Sequence, residues 1–486
     1  MALRKCSDQR EMWGPSPDLA LPTNHPARAL DEIIEKLGLD RCNRKYEHTP
    51  GEAAYDARAM IKILIYSYMR GITSSREMAC QCQENIAFQY LTRGYCPNFR
   101  TIALFRRKKR HLVRWVFQKT VALAQQMGIA RLGLVALDSV KFPANANAGR
   151  KMTEGQLNEH LRKLDEFLET VEKSDSQQDD RYGETRGDEL PAEIATAQKR
   201  KEKLQKALAI LKQKQELAKE QPPKDVSITD PEAPFVKKAG RFVRGYSGQV
   251  AADSEQKVIV GVKATADPVD FEQLNPMLEE IEKTTGQAPV QLVADSGYYS
   301  DDAVLTAAQS KTDCLVPDQD AAADMNNPKR TEGPKAQFKA SKFTYDKQRD
   351  EFTCPAGKTL PFFREHKKHE QVKRVYRCTD CSDCAFRQQC TNSNSGTRSI
   401  ELRSDHSKIR ELREKVRTES GKAIYKMRKA IIEPIFGRWQ HNWGIRRLRL
   451  RGLAGFSVEL HLLCAAHNLS KLIRFRTCSV QMAANA

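Results

Sequence analysis

Two short apolar runs, each closed by one aspartate, constrain this chain most. Leu-Gly-Leu-Val-Ala-Leu-Asp (132–138) ends on Asp138, and Val-Gln-Leu-Val-Ala-Asp (290–295) ends on Asp295, followed by Ser-Gly-Tyr-Tyr-Ser. Largely apolar runs of this length read as strands covered on both faces, the mark of an α/β sheet flanked by helices. A carboxylate closing such a strand emerges at the rim of the sheet, where open α/β sheets place their ligands. A lone aspartate there more often forms a turn or caps a helix, so it is the recurrence of the pattern that carries weight. A third acid, Glu433, sits in Tyr-Lys-Met-Arg-Lys-Ala-Ile-Ile-Glu-Pro-Ile-Phe-Gly-Arg-Trp (425–439), which reads as a basic helix. Two rim acids and one from a distant helix can hold two divalent cations about 3.5–4 Å apart. A surface pair of Glu433 with Lys429 explains the third acid equally well. All-carboxylate ligation favours Mg2+ or Mn2+ over zinc.

At 486 residues the chain exceeds a single ordinary core. Residues 1–125 read as helical: Met60, Ile61, Leu64, Ile65 and Tyr68 recur at helical spacing, Gly71 ends that helix, and Ser74 with Glu77 forms a capping-box signature. A further helix after Pro97-Asn98 carries a dense basic run, which predicts a helical DNA-binding domain of helix-turn-helix type; a helical packing domain is the competing reading. Residues 126–150 hold the first strand. Within 151–225, Leu157, Leu161, Leu164, Leu168 and Val171 alternate spacings of four and three, a coiled-coil seam. The polar stretch 173–190 is predicted to break that helix before a second amphipathic segment, giving an inserted helical hairpin. Residues 226–320 alternate strands and helices. They start with a hairpin over 246–252 and 257–264, followed by a helix over 270–284 and the Asp295 strand. A helix capped by Ser300 and a short strand at Cys314 complete them. Residues 321–415 form a cysteine-containing insertion, and 416–486 a helical part carrying Glu433. This order predicts a ribonuclease-H-like α/β fold: a mixed sheet with flanking helices, an inserted helical hairpin and an N-terminal all-helical domain.

The formal net charge is +19, and the excess is clustered. Arg100, Arg106, Arg107, Lys108, Lys109 and Arg110 form one cluster, Lys141 follows Asp138, and Tyr425, Arg428, Lys429, Arg438, Arg446 and Arg447 lie on and beyond the Glu433 helix. Clustered positive charge points to a polyanionic partner, because neutralising phosphates releases counterions; a generally basic, solvated surface is the alternative. No run of about 18 apolar residues exists, so no membrane partner is expected, and the N-terminus lacks the apolar core of a secretion signal. Thirteen cysteines, an odd number partly at CxxC spacing, point to reduced thiols and the cytosol. Cys378, Cys381 and Cys384 stand at CxxCxxC spacing with Cys390 beyond and Cys354 upstream. That spacing suits a structural tetrahedral thiolate Zn2+ site, but five candidates for four places leave the ligand set open, and free thiols are the competing reading.

The chain resembles a DDE transposase of bacterial insertion sequences, of the group with an InsH-like N-terminal helical domain. The stretches that carry the resemblance are 58–76, 98–106, the Asp138 strand with Lys141 and Ala144-Asn145-Ala146, Ala-Asp-Ser-Gly-Tyr-Tyr-Ser (294–300), Arg-Lys-Ala-Ile-Ile-Glu-Pro-Ile-Phe-Gly (428–437) and Leu-Leu-Cys-Ala-Ala-His-Asn-Leu (462–469). The resemblance implies that Asp138, Asp295 and Glu433 are the triad binding two Mg2+ or Mn2+ ions. It implies water hydrolysis at the element's ends, then attack of the freed 3′-hydroxyl on target DNA. The implied partners are the terminal inverted repeats, target DNA and further copies of the chain in a homodimer or larger assembly, in the cytoplasm of a bacterium at its nucleoid. In the family's C-terminal signature of Tyr, Arg, Glu and Lys, Tyr425 and Glu433 fit and Lys429 takes the Arg spacing, with Arg428 beside it. Gln440 stands where Lys is usual, with Arg438 near, and Ser139 replaces a more usual Gly. The departure at Gln440 leaves a catalytically inactive, sequence-specific DNA-binding descendant as the alternative.

Overall fold

A computed structural model describes residues 16–39, 55–146, 150–182, 192–217, 222–238, 240–327, 337–368, 371–378, 380–391, 393, 396–403, 406–447 and 449–484. Among them, helices α1 (Pro17–Ala20), α2 (Pro26–Glu35), α3 (Ala57–Met69), α4 (Ser75–Glu84), α5 (Ile86–Thr92), α6 (Phe99–Lys108) and α7 (Arg110–Gln126) precede the first strand. Helix α3 is buried almost all round, which its apolar composition demands. Even Lys62 lies inside, its ammonium held by Asp31 at 2.6 Å and by Glu35. Asn98 caps α6, accepting from the Thr101 amide at 2.9 Å. Ser74 stands at the cap of α4 but makes no side-chain cap bond, so the predicted capping box does not form.

The central sheet is built from β1 (Leu134–Pro143), β4 (Phe235–Lys238), β5 (Arg241–Asp253), β6 (Ile259–Thr265), β7 (Gln291–Ala294) and β8 (Asp313–Leu315). Its order is β6-β5-β1-β7-β8, with β4 beside the first residues of β5. The β6–β5 and β5–β1 pairs are antiparallel, whereas β1–β7 and β7–β8 are parallel. Helices α10 (Leu274–Thr285) and α11 (Asp301–Ala307) supply the crossovers, α10 burying Leu274, Met277, Leu278 and Ile281 as their spacing predicts. Ser300 caps α11 through the Ala303 amide at 3.1 Å.

Strands β2 (Lys151–Thr153) and β3 (Asp225–Ser227) pair antiparallel at the base of an inserted hairpin of α8 (Glu154–Tyr182) and α9 (Ala192–Leu217). Leu157, Leu204, Ala207, Leu211 and Val226 form its core, with Leu161 and Leu164 packed against them. Helix α8 does not break at 173, as expected from the polar stretch, but runs on to Tyr182. Residues 173–182 contain neither Gly nor Pro, and polarity alone does not end a helix; the rest of the predicted break, 183–190, lies outside the described residues.

After α12 (Gln319–Asn326), strands β9 (Thr344–Asp346), β10 (Glu351–Thr353), β11 (Thr359–Lys368), β12 (Gln371–Arg377) and β13 (Ser399–Arg403) form an antiparallel meander, with α13 (Arg387–Cys390) in the β12–β13 connection. Helices α14 (His406–Arg417), α15 (Glu419–Gly437) and α16 (Gly452–Ala484) close the chain. No helix among the described residues is long and apolar enough to cross a membrane.

Helix α16 joins the N-terminal helices to the sheet. Leu460, Leu463 and Leu469 enter the same core as α3, α7 and β6. The Asn468 amide accepts from the Ile259 amide at 2.8 Å and donates to its carbonyl at 2.9 Å, satisfying the outer edge of β6. Fully buried Glu459 accepts from Tyr68 Oη at 3.0 Å and from the amides of Arg449 and Leu450. Arg106 donates to the same Tyr68 hydroxyl at 3.3 Å and to the Thr73 carbonyl at 2.8 Å. Arg106 is thus 3 % exposed and its guanidinium is spent inside the fold, which corrects the expectation that it faces DNA. Removing one partner of a buried charge network leaves the other uncompensated. Arg106→Ala is therefore expected to lose about 3 kcal/mol or more of stability in urea titration, whereas exposed Arg107→Ala changes it by less than about 0.5 kcal/mol.

Candidate functional site

Asp138 does not end its strand, as the apolar run suggested: β1 continues to Pro143, paired with β5 throughout. What ends there is β7. Leu137 pairs with Ala294, the last residue of β7, so the next step along both strands brings Asp138 beside Asp295 on a rim of the sheet. Asp295 then caps the turn Ser296–Tyr298, accepting from the Gly297 amide at 2.9 Å. Asp138 accepts from its neighbour's amide, Ser139, at 2.7 Å.

Helix α15 packs across this rim. Its buried face includes Tyr425, Arg428 and Ile432, and Arg428 Nη1 lies 2.5 Å from Asp138 Oδ2. Arg428, not Lys429, accompanies Tyr425 inward, because residues three apart on this helix share the buried face; Lys429 and Glu433 are exposed. Burial pushes the Asp138 carboxyl up to about 6; Arg428 opposes the rise and Asp295 adds to it. Burial likewise raises the Tyr425 hydroxyl, with Arg428 opposing and both aspartates contributing. Asp138, Asp295, Arg428 and Tyr425 therefore form one electrostatic cluster. Glu433 makes no contact with it that places the three acids together: among the described residues no group of three His, Cys, Asp or Glu side chains is arranged to hold a metal ion.

A second polar cluster adjoins the first and was not read from the sequence. Asp270 accepts from Lys141 at 2.9 Å, Ser139 Oγ at 2.8 Å and Gln249 Nε2 at 2.6 Å, and Lys141 also donates to Ser247 Oγ at 2.7 Å. Gln249 in turn accepts from the Tyr298 hydroxyl. The chain of bonds runs from the Asp295 turn through Tyr298, Gln249 and Asp270 to Ser139, beside Asp138. Lys141, expected at a phosphate, spends its charge on Asp270 here. Only pairing across β1 and β5, invisible to local spacing, brings these groups together.

The remaining basic candidates divide by exposure. Arg107, Lys108 and Arg110 are exposed around the α6–α7 junction, Lys109 is half-buried within it, and Arg100 is exposed in the first turn of α6. Burial and the neighbouring Arg474 lower the half-buried Arg438 guanidinium. Arg446 donates to the Gln440 carbonyl, and Arg447 to the carbonyls of Ala144 and Ala146. Arg451 donates to the Asn145 carbonyl, so arginines crowd the loop that leaves β1.

The five cysteines gather as well. Cys354, Cys378, Cys381, Cys384 and Cys390 all line one cavity of about 20 Å3 beneath Phe343. All are free thiols. Burial raises the Cys390 thiol, with Arg398 opposing and Cys381, Cys354 and Cys384 adding to the rise.

With this geometry in hand, two family models match. One, described as a transposase DDE domain, covers residues 353–473; the other, described as a transposase domain (DUF772), covers residues 16–108. They support a DDE transposase of the insertion-sequence type. The transposase family implies DNA as a partner. The first match holds Glu433 and the five cysteines, and the second the basic end of α6. Neither reaches Asp138 or Asp295. No curated protein matches the chain.

The Asp138 pair carries a pH signature. A carboxyl raised above its unfolded value of about 3.9 binds its proton more tightly in the folded state. It therefore makes stability fall as pH rises from about 4 to about 6 and adds no slope above that. In metal-free protein, NMR of the Asp138 carboxyl is expected to give a midpoint near pH 6, moving upward in Arg428→Gln. A wild-type midpoint near 4, or a downward move in the variant, contradicts the arrangement.

Proposed function

We propose that this transposase cuts DNA at the ends of its element and joins the freed 3′ ends to target DNA, by metal-dependent phosphoryl transfer at Asp138, Asp295 and Glu433. The observation that carries this is the register of β1 and β7, which sets two carboxylates side by side on a rim crossed by a basic helix. The strand order β6-β5-β1-β7-β8, antiparallel on one side of β1 and parallel on the other, supports a ribonuclease-H-like sheet.

The donor chemistry fits hard divalent cations. Asp138 and Asp295 present only oxygen, and their mutual repulsion is relieved by positive charge. Asp138 and Asp295 would hold the ions, and Glu433, exposed on α15 and apart from the pair in this structure, would be the third acid. When bound, Mg2+ or Mn2+ ions supply Lewis-acid stabilisation of the attacking and leaving oxygens.

The chain's own residues do the rest. Arg428 neutralises Asp138 from the buried face of α15 and keeps a guanidinium beside the reacting phosphate. Tyr425 seats that helix against the rim. The Asp270 network fixes the backbone on both sides of the acid pair through Ser139 and the Asp295 turn. Phosphoryl transfer requires little more than positioning and charge stabilisation. Exposed Arg446, Arg447, Lys429 and the basic α6–α7 junction supply phosphate contacts that hold the duplex, and a second copy of the chain holds the other element end.

Purified protein incubated with element-end DNA and Mg2+ or Mn2+ is expected to nick the end. Asp138→Ala, Asp295→Ala or Glu433→Ala should each drop the rate below about a hundredth, roughly 2.7 kcal/mol in barrier, while leaving DNA affinity largely intact. Binding without metal-dependent cleavage by the unmutated chain would instead mark an inactive DNA-binding descendant.

A further inference from the structure

The cysteine cavity lies in the meander of β9–β13, away from the Asp138–Asp295 rim, and neither DNA cutting nor strand transfer calls on it. Its walls come from two loops. The first is Cys354-Pro-Ala-Gly-Lys, joining β10 to β11. There the Gly357 amide donates to the Cys354 carbonyl at 2.9 Å, Gly357 takes φ +78°, and the Lys358 amide donates to the Cys354 sulfur at 3.2 Å. The positive φ is open to Gly without strain, and it is what turns the amide of the next residue back onto the sulfur. The second loop follows β12 and carries Cys381, Cys384 and Cys390, the last on α13. Lys358 ties the two loops together by donating its ammonium to the Asp380 carbonyl.

The fifth thiol is the most buried. Cys378, the residue after β12, is 1 % exposed and packs beside Phe343, Phe352, Leu360 and Tyr376, yet its thiol also bonds to Cys381 and its sulfur accepts from the Asp380 amide. Cys354, Cys381, Cys384 and Cys390 are partly open and adjoin one another around the cavity.

We propose that four of the five thiols Cys354, Cys378, Cys381, Cys384 and Cys390 bind one thiophilic divalent cation of the zinc class. A cavity of about 20 Å3 admits a single ion or water-sized guest. Four sulfurs from two facing loops match the donor type and number of a closed structural site. Arg387 and Arg398 on the same wall offset the negative charge of four thiolates. The fold gathers these thiols without setting them at ligand geometry, so the ion draws them in, and each releases its proton to solvent as it binds. The need is physical: the meander's core is a handful of side chains, and small cores of this kind are commonly completed by a metal.

The test is metal content of the full chain purified without chelator from zinc-containing medium. About one zinc per chain is expected, and single serine substitutions of Cys354, Cys378, Cys381, Cys384 and Cys390 should remove most of it at four of the five positions. The wild-type chain, exchanged into Co2+, should show the thiolate-to-cobalt charge-transfer bands and visible absorption of a tetrahedral site; this readout stands even where a variant fails to fold. A wild-type chain that carries almost no zinc and gives no such cobalt spectrum overturns the proposal. Full zinc retained by all five single serine variants also overturns it.

Discussion

Two carboxylates on neighbouring parallel strands repel each other, and the whole arrangement of the rim follows from how that repulsion is met. The register of β1 and β7 forces Asp138 and Asp295 together. Burial above all, opposed by Arg428 and aided by Asp295, pushes the Asp138 carboxyl up to about 6. Arg428 reaches Asp138 from a helix 290 residues later in the chain, so α15 docks where its positive charge is most needed. Tyr425 and Ile432, one turn to either side, convert that attraction into packing. Remove the charge pair and the helix has lost its address.

Helix α16 acts as the complementary brace. Through Glu459 it grips Tyr68 and the Arg449 backbone, and through Asn468 it seals the edge of β6. His467 and His461, pushed by burial down to about 3 and about 4, are held neutral inside. Their roles are therefore structural hydrogen bonds rather than proton transfer: His467 Nε2 meets the Lys257 carbonyl at 2.9 Å. The N-terminal helices and the sheet consequently share one core.

Much of this was legible in the sequence because it is local. The apolar runs at 132–138 and 290–295, the 246–264 hairpin, the Ser300 cap and the leucine seam of α8 all show in spacing alone, although β1 runs on past Asp138 to Pro143. What the sequence hid was non-local. Lys429 and Arg428 are adjacent in the chain, and only docking of α15 shows which one turns inward. Arg106 is indistinguishable from Arg107 in a basic run, although one is sealed against Tyr68 and the other meets solvent. Asp270 carries no signal of its own, since its partners Lys141 and Gln249 face it only after β1 and β5 pair. The extra turns of α8 were hidden for a different reason: polar residues without a breaker are ambiguous between a loop and a solvated helix.

The hairpin of α8 and α9 enters and leaves through β2 and β3, which pair residue for residue at its root. Helix α8 spans 29 residues, about 43 Å at 1.5 Å per residue, all of it beyond that clasp. Helix α9 is also tied down beyond that clasp: Lys214 donates to the carbonyls of Pro231 and Glu232, and Glu232 accepts from the Leu453 amide at the start of α16. A push on this arm therefore reaches the bracing helix α16 as well as the paired strands at its root.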